Sequence, residues 1–214
     1  MKHICYIIGA FHGEDACIRP TSHDFVIAAD GGYAALEALG VKADLVVGDF
    51  DSLGYVPADE EILRHPVRKD DTDTLLAIRL GLERGYKDFV ITGSIGGRLD
   101  HTIANMQCLL FLQEQGARAL LYGENTAVTA VHNSSITVTG AGTLSVFSMD
   151  PEARGVTLRG LDYPVEDVTL TSRFPIGVSN AFLEGPATIS VEDGTLMVIW
   201  QAPKEQLPDL ITQL

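Results

Sequence analysis

Carboxylates at particular places, rather than carboxylates in number, are the side chains of this sequence with the clearest chemical use. Asp30 follows the apolar run Val26-Ile27-Ala28-Ala29, and Asp49 and Asp51 follow Leu45-Val46-Val47-Gly48. Asp70, Asp71 and Asp73 follow Pro66-Val67-Arg68-Lys69, and Asp100 comes after Ile91-Thr92-Gly93 and a short turn. If the apolar runs are strands of a parallel sheet, these acids converge on its carboxyl edge, where open α/β sheets hold their ligands. Two like charges about 4 Å apart repel by about 4 kcal/mol at an effective dielectric near 20, and a bound divalent cation removes that repulsion. Hard oxygen donors select Mg²⁺ or Ca²⁺ over zinc or copper. Asp49 and Asp51 share a face of an extended chain, and Asp70 and Asp73, three apart at a helix start, reach one point. The plainer reading of any one of these acids is a helix cap or a turn, worth about 0.5–2 kcal/mol with no ligand involved.

A second feature suits an anion. Thr92-Gly93-Ser94-Ile95-Gly96-Gly97-Arg98-Leu99-Asp100 reads as strand, glycine-rich turn and helix start. Such a turn points backbone N–H groups at phosphate oxygens, and Arg98 adds a planar fork of donors. It is neither a Walker A loop nor Gly-x-Gly-x-x-Gly, and a tight turn carrying a surface arginine is its alternative. Gly31-Gly32 follows Asp30 in a similar setting. His101 reads as a proton carrier or as a surface residue beside the cap. The remaining histidines (His3, His12, His23, His65 and His132) have no ligand spacing.

The elements that must position these groups come in two textures. Up to residue 123, strands are predicted over 3–8, 25–29, 45–47, 62–67, 89–92 and 119–122. Helices are predicted between them over 32–39, 72–84 and 100–115. Leu75, Ile78 and Leu82 form one stripe, Ile103, Met106 and Leu110 another, and Gly40, Gly85 and Gly116 stop the three helices. Strands alternating with helices imply a mainly parallel sheet with helices on its faces. From residue 124 no helical stripe appears. Short Val-, Thr- and Ile-rich runs at 127–131, 136–138, 144–147, 156–158, 168–170, 188–191 and 196–200 predict an antiparallel β-sandwich or barrel. Two domains, 1–123 and 124–214, follow.

Composition narrows the partners. The 214 residues are 46% hydrophobic and 21% charged, with a formal net charge of −14, values of an ordinary folded domain. The excess of acids argues against gripping nucleic acid through phosphates or an anionic membrane surface. The apolar run at the N-terminus is too short for a signal peptide and reads as a first strand. The stretch 125–149, free of Asp, Glu, Lys and Arg after Glu124, is too rich in Thr, Ser, Asn and Gly to span a bilayer. Three cysteines, Cys5, Cys17 and Cys108, without a Cys-x-x-Cys pair support neither a disulfide framework nor a zinc site, and a reducing cytoplasm is expected.

Ala29-Asp30-Gly31-Gly32, Gly48-Asp49-Phe50-Asp51-Ser52, Lys69-Asp70-Asp71-Thr72-Asp73 and Gly96-Gly97-Arg98-Leu99-Asp100-His101 occur in the order and spacing of the thiamin pyrophosphokinase family. Gly160-Leu161-Asp162-Tyr163-Pro164 and Ser179-Asn180-Ala181-Phe182 extend the resemblance over nearly the whole chain. It implies an α/β ATP-binding catalytic domain followed by a β-sandwich domain for thiamin binding and dimerisation. It also implies a Mg²⁺-dependent reaction, in which the terminal diphosphate of ATP passes to the hydroxyethyl oxygen of thiamin, giving thiamin diphosphate and AMP. By resemblance Asp49, Asp51, Asp70 and Asp73 are metal ligands, and Asp73, Asp49 and Arg98 are catalytic, with Asp73 the first choice and Asp49 the second as general base. Asp30, Gly31, Gly32, Asp70, Gly96, Gly97, Arg98, Asp100 and His101 would contact nucleotide. Ser179, Asn180 and Phe182 would face thiamin, Phe182 stacking on its pyrimidine or its thiazolium. A homodimer is implied, the β-domain of one subunit completing the site of the other.

One departure is Leu76, where animal and fungal members of the family carry a lysine; bacterial members are more similar here, so a bacterial source is expected, with Lys69 or Arg98 as substitutes. Two rivals stand beside this reading. A haloacid-dehalogenase-type phosphatase also ends an apolar strand in Asp-x-Asp, but its pattern has Thr or Val where Leu53 stands. A non-catalytic nucleotide or thiamin sensor would not need the full set of acids.

Overall fold

The computed structural model describes residues 3–10, 18–48, 62–63 and 71–213. The chain divides into two compact units, Met1–Glu124 and Asn125–Leu214.

The first unit carries strands β1 (Ile4–Ile8), β2 (Phe25–Ala29), β3 (Leu45–Val47), β4 (Ile62–Leu63), β5 (Asp88–Thr92) and β6 (Arg118–Gly123). Helices α1 (Gly32–Leu39), α2 (Asp73–Glu83) and α3 (Leu99–Glu114) connect them. The strands lie in the order β6-β5-β1-β2-β3-β4, and every pairing is parallel. Strands β1, β3 and β5 are buried along their whole length. Their middles are continuous apolar runs, Asp88 and Thr92 standing only at the ends of β5, because a sheet covered on both faces has no water-facing side to keep polar. Of the strand expected over 62–67, only β4 is described.

All three helices stop as expected, with Gly40, Gly85 and Gly116 in the left-handed region at φ 65°, 86° and 65°, where a residue with a Cβ is strained. The packed faces differ from the expected stripes. On α3 the buried residues are Asn105, Cys108, Leu109 and Leu112, while Ile103 is 51% exposed. Apolar residues lie on more than one side of this helix, so its periodicity could not tell which side meets the sheet. On α2 the buried face is Thr74, Ala77, Ile78, Leu80 and Gly81. It keeps Ile78 of the expected stripe and leaves Leu75 and Leu82 half-buried.

The second unit is two antiparallel four-stranded sheets. Strands β7 (Thr126–His132), β9 (Thr143–Ser148), β12 (Asn180–Ala181) and β14 (Thr195–Gln201) form one, in the order β12-β9-β14-β7. Strands β8 (Ser135–Val138), β10 (Glu152–Arg159), β11 (Val165–Thr171) and β13 (Ala187–Ser190) form the other, in the order β11-β10-β13-β8. Val128, Val146, Val156, Ile189, Leu196 and Val198 are sealed in its core. The absence of helix expected here is corrected by a short one, α4 (Leu207–Gln213); seven residues with Pro208 near their start leave too little periodicity to read. The two-residue β12 was also missed, being too short for an alternating pattern.

Candidate functional site

In the first unit β1, β2, β3 and β4 run outward in one direction and β5 returns to the other side of β1. The connections therefore diverge at the carboxyl ends of β1 and β5, a topological switch point that opens a crevice. Two close contacts lie beside it. Gly9 N–H donates to the Thr92 carbonyl at 2.8 Å, extending the β1–β5 ladder to its lip. Gly32, the first residue of α1, sits so close to β1 that a Cβ on it would lie 1.8 Å from the Ile8 oxygen.

The crevice is a cleft of about 490 Å³, the size of a small-molecule site. Strand ends contribute Gly9, Ala29 and Asp30, and the start of α2 contributes Asp71, Thr72, Asp73 and Thr74. Gly93, Ser94, Gly96, Gly97 and Arg98 form the opposite wall with His101 and Asn105 of α3. The structure thus brings Asp30, Asp73, Gly96, Gly97, Arg98 and His101 to one place. Gly31, Gly32 and Asp100 are not among its lining residues, and Asp49, Asp51 and Asp70 lie outside the described residues.

The alternative of simple capping is answered for α2. Its cap is Thr72, whose Oγ1 accepts from Leu75 N–H at 3.2 Å, so Asp73 stands in the first turn without being needed as the cap. A carboxylate there is favoured by the positive end of the helix. Asp71 lies 3.5 Å from Arg79. Asp30 adopts φ 50°, a left-handed conformation that Asp tolerates better than most residues and that concentrates at functional sites.

The glycine turn is braced from α3. Gly96 and Gly97 take φ 92° and 62°. Thr102 Oγ1 accepts from Gly96 N–H at 3.2 Å and lies 3.2 Å from the Arg98 carbonyl. Asn105 Nδ2 donates to the Ser94 carbonyl at 2.8 Å. Helix α3 begins one residue earlier than expected, with Arg98 as its cap residue and Asp100 in its first turn. Arg98 Nε donates to Asp100 Oδ1 at 3.1 Å and Nη2 to Oδ2 at 2.5 Å. That hydrogen bond, first, and the charge of Arg98 hold the Asp100 carboxyl below the ordinary carboxylate range.

Ser94, Thr102 and Asn105 were missed by sequence reasoning. The available signal was phase: Asn105 is four residues after His101, and with Cys108, Leu109 and Leu112 it completes an i, i+3, i+4, i+7 face.

In the second unit Ser179 takes φ 61° and its N–H donates to Ser145 Oγ at 3.1 Å. Asn180 is buried at the edge strand β12. Its Oδ1 accepts from Tyr163 N–H at 2.9 Å and Ala181 N–H at 3.0 Å, and its Nδ2 donates to the Tyr163 carbonyl at 2.8 Å. The amide is therefore occupied in holding the 160–164 loop. Phe182 is half-buried, and a Cβ on Gly140 would come 2.8 Å from its ring.

A parallel sheet with a small-molecule-sized crevice at its switch point, followed by a separate antiparallel unit, defines a two-domain α/β protein. Residues 20–121 match the family model described as thiamin pyrophosphokinase, catalytic domain, and residues 133–196 the one described as thiamin pyrophosphokinase, vitamin B1 binding domain. Thiamine pyrophosphokinase of Bacillus subtilis (strain 168) is 25% identical over 186 residues, covering 83% of this chain and 87% of that protein. Its crystal structure superposes with a TM-score of 0.81 at 23% identity, over 94% of this chain and all of the other. A thiamin pyrophosphokinase family protein of Enterococcus faecalis gives 0.78 at 26% identity, over 94% and 99% of the two chains. The chain belongs to the thiamin pyrophosphokinase family and is a diphosphotransferase.

Proposed function

We propose that the family's reaction, transfer of the terminal diphosphate of ATP to the hydroxyethyl oxygen of thiamin, runs with ATP seated in the cleft of the first unit. One observation carries this placement: the head of α2, capped by Thr72 and bearing Asp73, lines the same cleft as the Gly96–Gly97 turn. The turn and Arg98 hold phosphate oxygens, Arg98 exchanging the Asp100 carboxylate for phosphate. The thiamin oxygen attacks the β-phosphorus, the bond to the oxygen bridging the α- and β-phosphorus breaks, and AMP leaves. Asp73 takes the hydroxyl proton, with Asp49 as the second choice. Such catalysis rests on positioning and electrostatics.

The donors of the cleft fit Mg²⁺. Asp30, Asp71 and Asp73 line the cleft and offer only oxygen, the donor type that magnesium takes. Magnesium is commonly held by carboxylates together with substrate phosphates, and its ligands here would come from Asp73 and, by the family resemblance, Asp49, Asp51 and Asp70. When bound it offsets the charge of the triphosphate.

Ser179 and Phe182, with Tyr163 set in place by Asn180, receive thiamin. A second copy of the chain covers this face. Its support is the exposure of several large apolar side chains in this unit, Tyr163, Phe174, Ile176, Val178 and Leu183, which a partner surface would cover. A cytoplasmic setting is supported by the thiols of Cys5 and Cys108, both free and buried. Among the described residues, no helix is long and apolar enough to cross a membrane.

The deciding experiment incubates the purified chain with ATP, Mg²⁺ and thiamin. AMP and thiamin diphosphate are expected; ADP as the nucleotide product refutes diphosphate transfer, and binding without turnover favours a sensor.

A further inference from the structure

Asn105 has properties that its neighbours on α3 lack. It is 5% exposed, on the buried face of an otherwise apolar stretch, and it lines the cleft. A polar side chain is retained in such a place when its hydrogen bonds are used. The Ser94 carbonyl can only accept, so the 2.8 Å contact assigns Nδ2 to it and turns Oδ1 the other way. Oδ1 has no partner among the described residues. Among the described residues the sealed, unpartnered side-chain atoms are Thr92 Oγ1 and Gln206 Oε1, and Asn105 Oδ1 is not one of them. The oxygen therefore remains accessible, at a residue whose open side is the cleft.

We propose that Asn105 is a specificity-determining residue of the nucleotide site: its Nδ2 anchors the glycine turn through Ser94, and its Oδ1 accepts a hydrogen bond from a ribose hydroxyl or the exocyclic amino group of the nucleotide. This rests on the placement of ATP in the cleft. One amide thereby couples the grip on the phosphates to recognition of the nucleoside. A site built with an unpaired acceptor rejects an analogue lacking the matching donor more strongly than an apolar wall rejects an added group.

The test measures binding of Mg²⁺ complexes of ATP, 2′-deoxyATP, 3′-deoxyATP and inosine triphosphate to the full chain by calorimetry, with steady-state AMP formation beside it. On the unaltered chain one of the three analogues binds about tenfold more weakly than ATP, and which one identifies the donor. In Asn105→Leu that difference disappears, because ATP falls to the level of the analogue, while KM for thiamin stays within about twofold. Asn105→Asp keeps an oxygen toward the cleft and loses the donor to Ser94, so it retains the discrimination with weaker ATP binding overall. A purely structural role predicts equal losses for all four nucleotides. The proposal is overturned if no analogue is discriminated by the unaltered chain, if Asn105→Leu discriminates as the unaltered chain does, or if the KM values for ATP and thiamin rise together. Should Asn105→Leu fail to fold, the unaltered chain and Asn105→Asp decide, equal losses across the series overturning the proposal. Discrimination in binding without AMP formation overturns the catalytic reading and leaves the role of Asn105 standing.

Discussion

The Arg98 guanidinium and the Asp100 carboxylate face one another across the first turn of α3, joined by two hydrogen bonds. Both are well exposed, at 71% and 65% of their side chains, so the pair adds little to stability. Its consequence for the proposed site is occupancy, because donors that would suit a phosphate are held by a carboxylate. Arg98→Ala is expected to leave the unfolding midpoint unchanged while KM for ATP rises about tenfold or more. Arg98 keeps Asp100 ionised below the usual carboxylate range, so in Arg98→Ala the carboxyl titration of Asp100, followed by NMR, moves up. An unmoved titration refutes the pairing in solution.

Asp73→Asn tests the proposed proton acceptor and metal ligand. AMP formation should fall by about 100-fold or more, with the circular dichroism spectrum retained, because Thr72 rather than Asp73 caps α2. Chelation by EDTA should stop turnover of the unaltered chain, and excess Mg²⁺ should restore it. Turnover that survives the substitution removes Asp73 from both roles.

Gly32→Ala places a methyl group 1.8 Å from the Ile8 oxygen. Helix α1 has to move away from β1, at a cost of about 2–4 kcal/mol. Chemical denaturation measures this, and a change under about 0.5 kcal/mol contradicts the close approach.

Asn180→Leu removes three hydrogen bonds and leaves the N–H and carbonyl of Tyr163 without their partner. The expected loss is about 1–3 kcal/mol, together with a higher KM for thiamin and an unchanged KM for ATP. Equal changes in both constants would separate Asn180 from the thiamin side.

Thiol chemistry gives a pH-dependent prediction. Burial pushes the Cys108 thiol up from 9.0 to about 11 and that of Cys5 further still. Both should resist a thiol reagent at pH 8 in the native chain and react after denaturation. Between pH 9 and 11 the unfolded chain loses the Cys108 proton and the folded chain keeps it. This contribution to stability is therefore full below pH 9 and is lost as pH rises through about 11. A denaturation midpoint that rises over that window contradicts the burial.

Chain order and short-range periodicity determined a good deal by themselves. Alternation of apolar runs with helical stripes is a local property, and it sufficed for the parallel sheet, for the texture change near residue 124 and for helix ends at Gly40, Gly85 and Gly116. Acids placed after strands are brought to one edge by any parallel sheet, so Asp30 and Asp73 were legible as neighbours of the Gly96–Gly97 turn. What needed the tertiary structure was every choice between equivalent local options. Apolar residues on several sides of α3 left its buried face open, and packing selected Asn105, Cys108, Leu109 and Leu112 over Ile103. The acids before this helix were readable as its caps, and backbone geometry gave the role to Thr72 instead. The partners of Asn105 and Asn180 lie 11 and 17 residues away. A hydrogen bond over that distance depends on where the sheet and the loops place both ends, which no local pattern of residues encodes.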